Sequence, residues 1–250
     1  MKSVISPKYS VLQEFVNNLP TEFDKLKEYE LLRDGRNRIV KCRVCGYSLV
    51  IKSYGKPSII NSLIYGKIRR SKAMRAYFNA HKLLELGIGT PEPVAAVDVF
   101  KNGMLERSFF VSLCSELIPL PTKAPYCHKD FCDMLDHLAE FIMRMHDCGV
   151  MHNDLNPSNI LYGRGEDGSY EFHLVDNNRI RFKKALSMRD RLNDLRHFSS
   201  DDMPYLCMLH RYASLANREY REAIELRGVA ARFILLKQHN MKMLLKSKLR

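Results

Sequence analysis

No stretch of the 250 residues supplies the roughly 18 consecutive apolar positions that a membrane-spanning helix needs. The opening MKSVISPKYSVLQEF has no uninterrupted apolar core, so no secretory leader is expected. Internal repeats and low-complexity tracts are also missing, which sets aside solenoids and disordered arrays. Paired cysteines are lacking too. The seven thiols (42, 45, 114, 127, 132, 148 and 207) are odd in number and scattered, a pattern that predicts reduced cysteines in a cytosol. Cys42 and Cys45 have C-x-x-C spacing, but no second pair or paired histidine completes a zinc site, and both fall in the strand-like run RIVKCRVCG. Acidic residues are scarce: 28 stand against 40 Lys and Arg, giving a formal charge of +12, and none occurs from 226 to 250. That balance suits nucleotides, nucleic acid or anionic lipid as partners, or serves solubility alone. No aromatic-interleaved strand motif of a nucleic-acid reader is present, so no nucleic-acid partner is expected.

What is present is a folded chain, 46% hydrophobic and 27% charged. Residues 6–19 start at Ser6-Pro7 and carry Val11, Leu12, Phe15, Val16 and Leu19 at helical spacing. Asp34-Gly35 lies between two β-forming runs and predicts a hairpin. Gly46-Tyr47 predicts a second turn, followed by a strand over 48–54. Residues 71–86 read as a helix stopped by Gly87, and GIGTPEP as a linker. Two further strands are expected over 94–100 and 108–113. Leu117-Ile-Pro-Leu-Pro121 then breaks regular structure. Beyond it, 129–148 reads as a buried helix ended by Gly149. A turn at RGEDGS separates strands over 160–162 and 170–175, and helices follow from about Leu186. The expectation is an α+β, two-lobed fold: residues 1–116 a nucleotide-binding lobe with an antiparallel sheet and one helix, 117–250 a mainly helical catalytic lobe.

The chemistry concentrates in VMHNDLNPSNILY, residues 150–162. H-x-D-x-x-x-x-N is how kinase-fold enzymes place a base and a metal ligand on one loop. Phosphoryl transfer needs a base for the acceptor hydroxyl, oxygen ligands for Mg²⁺ and a cation for the phosphates. Asp154 suits the base, and the Asn159 oxygen suits a hard metal. His152 would brace the loop and Pro157 stiffen it. Asp176, after Leu174-Val175 in FHLVDNNRIRF, suits the second metal ligand. Lys52, in LVIKSY on the third strand, suits the phosphate cation. Gly35 is the only glycine where kinases carry a glycine-rich phosphate loop. Glu116 follows the last strand, where its backbone could meet the adenine edge, or its side chain could be an ordinary surface charge. Arg179 could pair with phosphate or with a carboxylate of the fold.

HNDLNPSN resembles several atypical kinases: aminoglycoside and choline phosphotransferases, and the RIO protein kinases. LVDNNRIRF discriminates further. It resembles the Asp-x-Asn-Arg-x-Arg-Phe segment of bacterial lipopolysaccharide core kinases, which act on Kdo or heptose. SKAMRAYFNAHKLLELGIGTPEPVA resembles the same family's Arg-Ala helix and Gly-x-x-x-Pro-x-Pro linker. The likeness runs from about residue 28 to 200. It implies ATP and Mg²⁺ as cofactors, and phosphorylation of an inner-core sugar on a lipid A-anchored acceptor. It places the protein at the cytoplasmic face of the inner membrane. One departure stands out: where the helix should offer a Glu to the strand lysine, Asn79 stands. Rival readings are a small-molecule or protein kinase, and a nucleotide-binding pseudokinase scaffold. Two basic stretches fit an anionic membrane surface: GKIRRSKAMR, with Lys67, Arg69, Arg70, Lys72 and Arg75, and the acid-free 226–250. Neither is apolar enough to insert, so a peripheral, mostly electrostatic attachment is expected.

Overall fold

The computed structural model describes residues 1–26, 28–58, 62, 69–121, 129–199 and 201–247. Lys67, Cys127 and residues 248–250, named above, lie outside these. The chain divides into two compact units: Met1–Glu116 with Leu174–Arg179, and Leu117–His173 with Ile180–Arg250.

The first unit is built on a six-stranded antiparallel sheet. Its strands are β1 (Lys2–Ile5), β2 (Glu30–Arg33), β3 (Asn37–Val44), β4 (Tyr47–Tyr54), β5 (Pro93–Lys101) and β6 (Met104–Leu113), in the order β1-β5-β6-β4-β3-β2. The Asp34-Gly35 turn joins β2 to β3, and Cys45-Gly46 turns β3 into β4 through two positive φ angles, 47° and 82°. Strand β1 has no counterpart in the sequence reading. Its four residues are too few to show a period, and its pairing with β5 (Val4 opposite Ala96) fixes it.

Successive strand residues face opposite sides, so each sheet face takes its own helix. A 3₁₀ turn over Pro7–Leu12 leads into α1 (Gln13–Glu22). The expected single helix over 6–19 thus breaks in two, with non-helical φ/ψ at Tyr9. Leu12, Val16, Leu19 and Phe23 bury against Leu49, Ile51, Phe109 and Val111 on one face. Helix α2 (Lys72–Glu85) covers the other, where Ala73, Met74 and Tyr77 meet Tyr54 and Ala96. Each fully buried Leu or Phe contributes about 1.5–3 kcal/mol, so these two layers hold the sheet.

The second unit contains α3 (Lys129–Asp147), α4 (Met188–Leu195), α5 (Asp202–Ala216) and α6 (Arg221–Ser247). Met134, Leu135, Leu138, Ile142 and Met145 form the buried stripe of α3. The expected break at 117–121 is instead partly ordered: β7 (Ile118–Pro119) pairs with β9 (Ile160–Arg164), which also pairs with β10 (Tyr170–Leu174). A last pair, β8 (Val150–Met151) with β11 (Arg181–Phe182), flanks the polar loop. Gly149 ends α3 with φ 74°, and a Cβ there would lie 2.0 Å from the Lys183 carbonyl oxygen. Only glycine permits that approach, which sets the start of β8 and of the loop after it.

Candidate active site

In the first unit, Lys52 projects from β4 on the same face as Tyr54, its Nζ 5.2 Å from the Tyr54 ring centroid. The Nζ pairs with Asp176 Oδ1 at 2.7 Å. Asp176 has φ 61°, a left-handed conformation that Asp tolerates better than most residues, and its Oδ1 also accepts from Asn178 Nδ2. The segment 174–179 is gripped by the linker that follows α2. Leu174 N donates to Gly89 O at 2.8 Å, Thr90 Oγ1 to Leu174 O at 2.8 Å, and Asn177 Nδ2 to Thr90 Oγ1 at 2.8 Å. These bonds explain why the six residues Leu174–Arg179, from the end of β10 onward, group with the first unit.

The helix residue questioned in the sequence has a different partner from the lysine. Asn79 Nδ2 donates to the Asn177 carbonyl at 2.7 Å. The one carboxylate of α2, Glu85, pairs with Lys82 at 2.9 Å. Lys52 therefore does not lack a carboxylate: Asp176 supplies it. Gly35 is exposed in the β2–β3 turn with open space where a Cβ would stand, and Glu116 is exposed at the end of the first unit's main segment. Arg179 is also exposed, and its charge bears on Lys72 of α2.

The described residues of the basic stretch, from Arg69 to Arg75, separate in the fold. Arg70 stacks on Phe78, its guanidinium carbon 4.2 Å from the ring centroid. Lys72 turns over the Tyr54 ring at 5.9 Å.

In the second unit, the polar loop is pinned from within. Asn156 N and Asn159 Nδ2 both donate to the Asp154 carbonyl, each at 2.9 Å, and Asn156 Nδ2 reaches Asp154 Oδ1 at 3.3 Å. Pro157 opens a short 3₁₀ turn, Pro157–Asn159, which fixes the step between Asp154 and Asn159. The nitrogen of the Asn159 amide is taken by the Asp154 backbone, so its oxygen is the group left for a cation. His152 is fully buried.

Asp194, which carries no mark in the sequence, holds the loop from beneath. Its Oδ2 accepts from His152 N at 2.8 Å and its Oδ1 from Asn153 N at 2.6 Å. Asn153 is held at φ 61°. His146 Nε2 lies 3.3 Å from Asp194 Oδ2, and His146 Nδ1 lies 2.6 Å from Tyr212 Oη. Burial raises the pKa of Asp194, but the His146 bond, the His146 and His152 charges and the His152 amide outweigh it and hold the group below the usual carboxylate range. It stays an anion that accepts two backbone amides.

Taken separately, Asp176 offers a carboxylate oxygen in the first unit and Asn159 a carboxamide oxygen in the second, both hard donors. Such donors fit Mg²⁺, which completes its shell with water and phosphate oxygens. Among the described residues no three His, Cys, Asp or Glu side chains gather as a metal cluster.

No curated protein sequence matches the chain. Solved structures share its fold. A structure of WaaP in complex with acyl carrier protein aligns at TM-score 0.57 with 16% identity, covering 92% of this chain and 99% of that one. An aminoglycoside-3'-phosphotransferase of type VIII aligns at 0.55 with 14% identity, covering 86% and 98%. The fold is therefore protein-kinase-like. The profile of the lipopolysaccharide kinase (Kdo/WaaP) family matches residues 53–222, more than half of the chain. The chain belongs to the lipopolysaccharide kinase (Kdo/WaaP) family of ATP-dependent phosphotransferases.

Proposed function

We propose that the protein transfers the γ-phosphoryl group of ATP to a hydroxyl of an inner-core sugar, Kdo or heptose, on a lipid A-anchored acceptor. The observation that carries this reading is the loop at 152–159, where Asp194 and the loop's own asparagines fix the backbone around Asp154. In the reaction the acceptor hydroxyl gives its proton to Asp154 as its oxygen bonds to the γ-phosphorus. The bond from that phosphorus to the bridging oxygen breaks, and ADP leaves. Lys52 steadies the phosphates. Asn159 and Asp176 would hold Mg²⁺, which when bound neutralises charge on the phosphate oxygens. Gly35 and the backbone at Glu116 would border the nucleotide.

A lipid-anchored acceptor calls for a surface that meets lipid, and α6 supplies the support. Its inner face carries Ile224, Gly228 and Arg232. A Cβ on Gly228 would lie 2.5 Å from Leu209 Cδ1, and Arg232 Nε pairs with Asp202 Oδ1 at 2.9 Å. Its outer face exposes Leu226, Val229, Phe233 and Ile234. The sequence reading expected a mostly electrostatic attachment here; the folded helix also exposes apolar side chains among its basic residues. No described helix is long and apolar enough to cross a membrane. The protein then works as a peripheral enzyme at the cytoplasmic face. The WaaP neighbour is in complex with acyl carrier protein, so a carrier protein is a second candidate for the basic surface.

The test is phosphotransfer from labelled ATP to purified lipid A-core, with the mass of the lipid A-core compared in cells with and without the protein. A gain of one phosphate that depends on the protein supports the reading. Nucleotide binding without transfer to any acceptor would favour a scaffold.

A further inference from the structure

Helix α2 begins against its own electrostatics. Ser71 caps it, accepting from Met74 N at 3.0 Å. Its first turn has no acidic residue. Lys72 opens the helix and Arg75 follows one turn on. The N-terminal end of a helix carries partial positive charge, so each cation there is disfavoured by about 0.3–1 kcal/mol. The surroundings add charge of the same sign. Lys72 Nζ lies 5.9 Å from the Tyr54 ring centroid, and Lys52 Nζ lies 5.2 Å from the same centroid. Burial lowers the pKa of Lys72, and the charges of Arg36, Arg179 and Arg75 lower it further, against an opposing pull from Asp176. Lys52 and Lys72 thus both lie at the Tyr54 ring, with Asp176 paired to Lys52. The Tyr54 hydroxyl is buried there with no hydrogen-bond partner among the described residues.

Like charges held together in a half-buried place repel, and an oxyanion among them turns that repulsion into attraction. A phosphate oxygen takes hydrogen bonds from ammonium and hydroxyl groups, and both kinds are here. We propose that Lys72 forms an oxyanion subsite beside Lys52 that takes a phosphate-class group. This rests on the kinase reading only for the identity of the ligand. The group is either part of the nucleotide's polyphosphate or an anionic substituent of the acceptor. The subsite does work that a glycine-rich loop does in other kinases, where this chain has Gly35 alone.

The test compares wild type with Lys72→Ala and Lys72→Arg by calorimetry, using inorganic pyrophosphate, Mg²⁺-ATP and adenosine, and measures KM for the acceptor. Circular dichroism melting checks that the variants fold. A charge-assisted bond to phosphate corresponds to a loss of about tenfold to a hundredfold when removed. Lys72→Ala should bind pyrophosphate that much more weakly, Lys72→Arg should stay near wild type, and adenosine should not change. If Mg²⁺-ATP affinity falls in step, the nucleotide supplies the anion. If Mg²⁺-ATP affinity holds while the acceptor's KM rises about tenfold, the acceptor does. Pyrophosphate affinity, Mg²⁺-ATP affinity and acceptor KM all within twofold of wild type would overturn the subsite. Wild type that binds pyrophosphate through Lys72 but not Mg²⁺-ATP would retain the subsite and remove the kinase reading instead.

Discussion

Lys52 Nζ sits 2.7 Å from Asp176 Oδ1, so the carboxylate that α2 does not offer comes from the segment after β10. The pair is only partly exposed, at 11% and 23% for the two side chains. If Asp176 also holds the metal, removing its charge should abolish Mg²⁺-dependent nucleotide binding. Asn is the better probe than Ala, because φ is 61° there and Asn tolerates the left-handed region. Asp176→Asn should melt within a few degrees of wild type, since partly exposed pairs are worth about 0–1 kcal/mol. Unchanged Mg²⁺-ATP affinity by calorimetry would remove Asp176 from the metal site.

Asp154 is the group that separates a base from a mere loop residue. Asp154→Asn keeps the shape and the backbone carbonyl that accepts from Asn156 and Asn159. A positioned base contributes about 10²–10⁴-fold. The variant should therefore lose that much turnover while binding ATP as before. Turnover equal to wild type would mean that another group takes the proton.

The polar loop and both carboxylates could be named from the sequence because their spacing is local. Asp154 and Asn159 lie within one tight turn, and Asp176 follows an apolar strand. Asp194 could not be named. It lies 42 residues from the amide of His152, in a short helix where nothing distinguishes it from a surface Asp, and only the tertiary fold brings the two within 2.8 Å. The same holds for the place of Lys72. Read along the chain it belongs to a run of surface cations, but the turn of α2 divides that run, sending Arg70 onto Phe78 and Lys72 onto Tyr54. Strand β1 was missed for a third reason: its pairing with β5, not its own pattern, makes it a strand.

Asp98 sets a pH dependence that is independent of catalysis. It is 3% exposed on β5, and its Oδ1 has no hydrogen-bond partner among the described residues. Burial lifts its pKa from 3.8 to about 6, against a bond from Ser71 and the charge of Lys2. The unfolded chain gives up this proton at lower pH than the folded one. Between about 4 and 6, folding therefore binds a proton, and stability from this group falls as pH rises through that window. Asp98→Asn should remove the penalty. At pH 8 the variant should be more stable than wild type by about 1–2 kcal/mol, less than the full shift implies because the amide also needs partners. The gain should shrink below pH 6 and vanish near pH 4. Urea unfolding at pH 4, 6 and 8 checks this, and an equal midpoint shift at all three would mean that titration is not the cause.

On the proposed reading, the outer face of α6 is where the protein meets lipid. Leu226 is 72% exposed, Phe233 66% and Ile234 51%. Beyond Leu235 every described side chain of the helix is exposed. The same stretch holds no acid from 226 to 250. A helix with apolar and cationic side chains on open faces suits a lipid interface, where each basic residue near an anionic surface would add about 1 kcal/mol and the apolar side chains would add burial. Charge attraction is screened over about 8 Å at physiological salt, whereas apolar burial is not. Binding to vesicles containing anionic phospholipid should therefore weaken as salt rises and level off above zero, with neutral vesicles bound at that lower level. Phe233→Asp with Ile234→Asp should abolish the salt-resistant part. The pair should also lower activity on lipid-embedded acceptor far more than on a soluble sugar fragment. Complete release by salt, with the double variant indistinguishable from wild type, would return the attachment to charge alone. Failure to sediment with anionic vesicles even at low salt would leave α6 to a protein partner and the acceptor to solution.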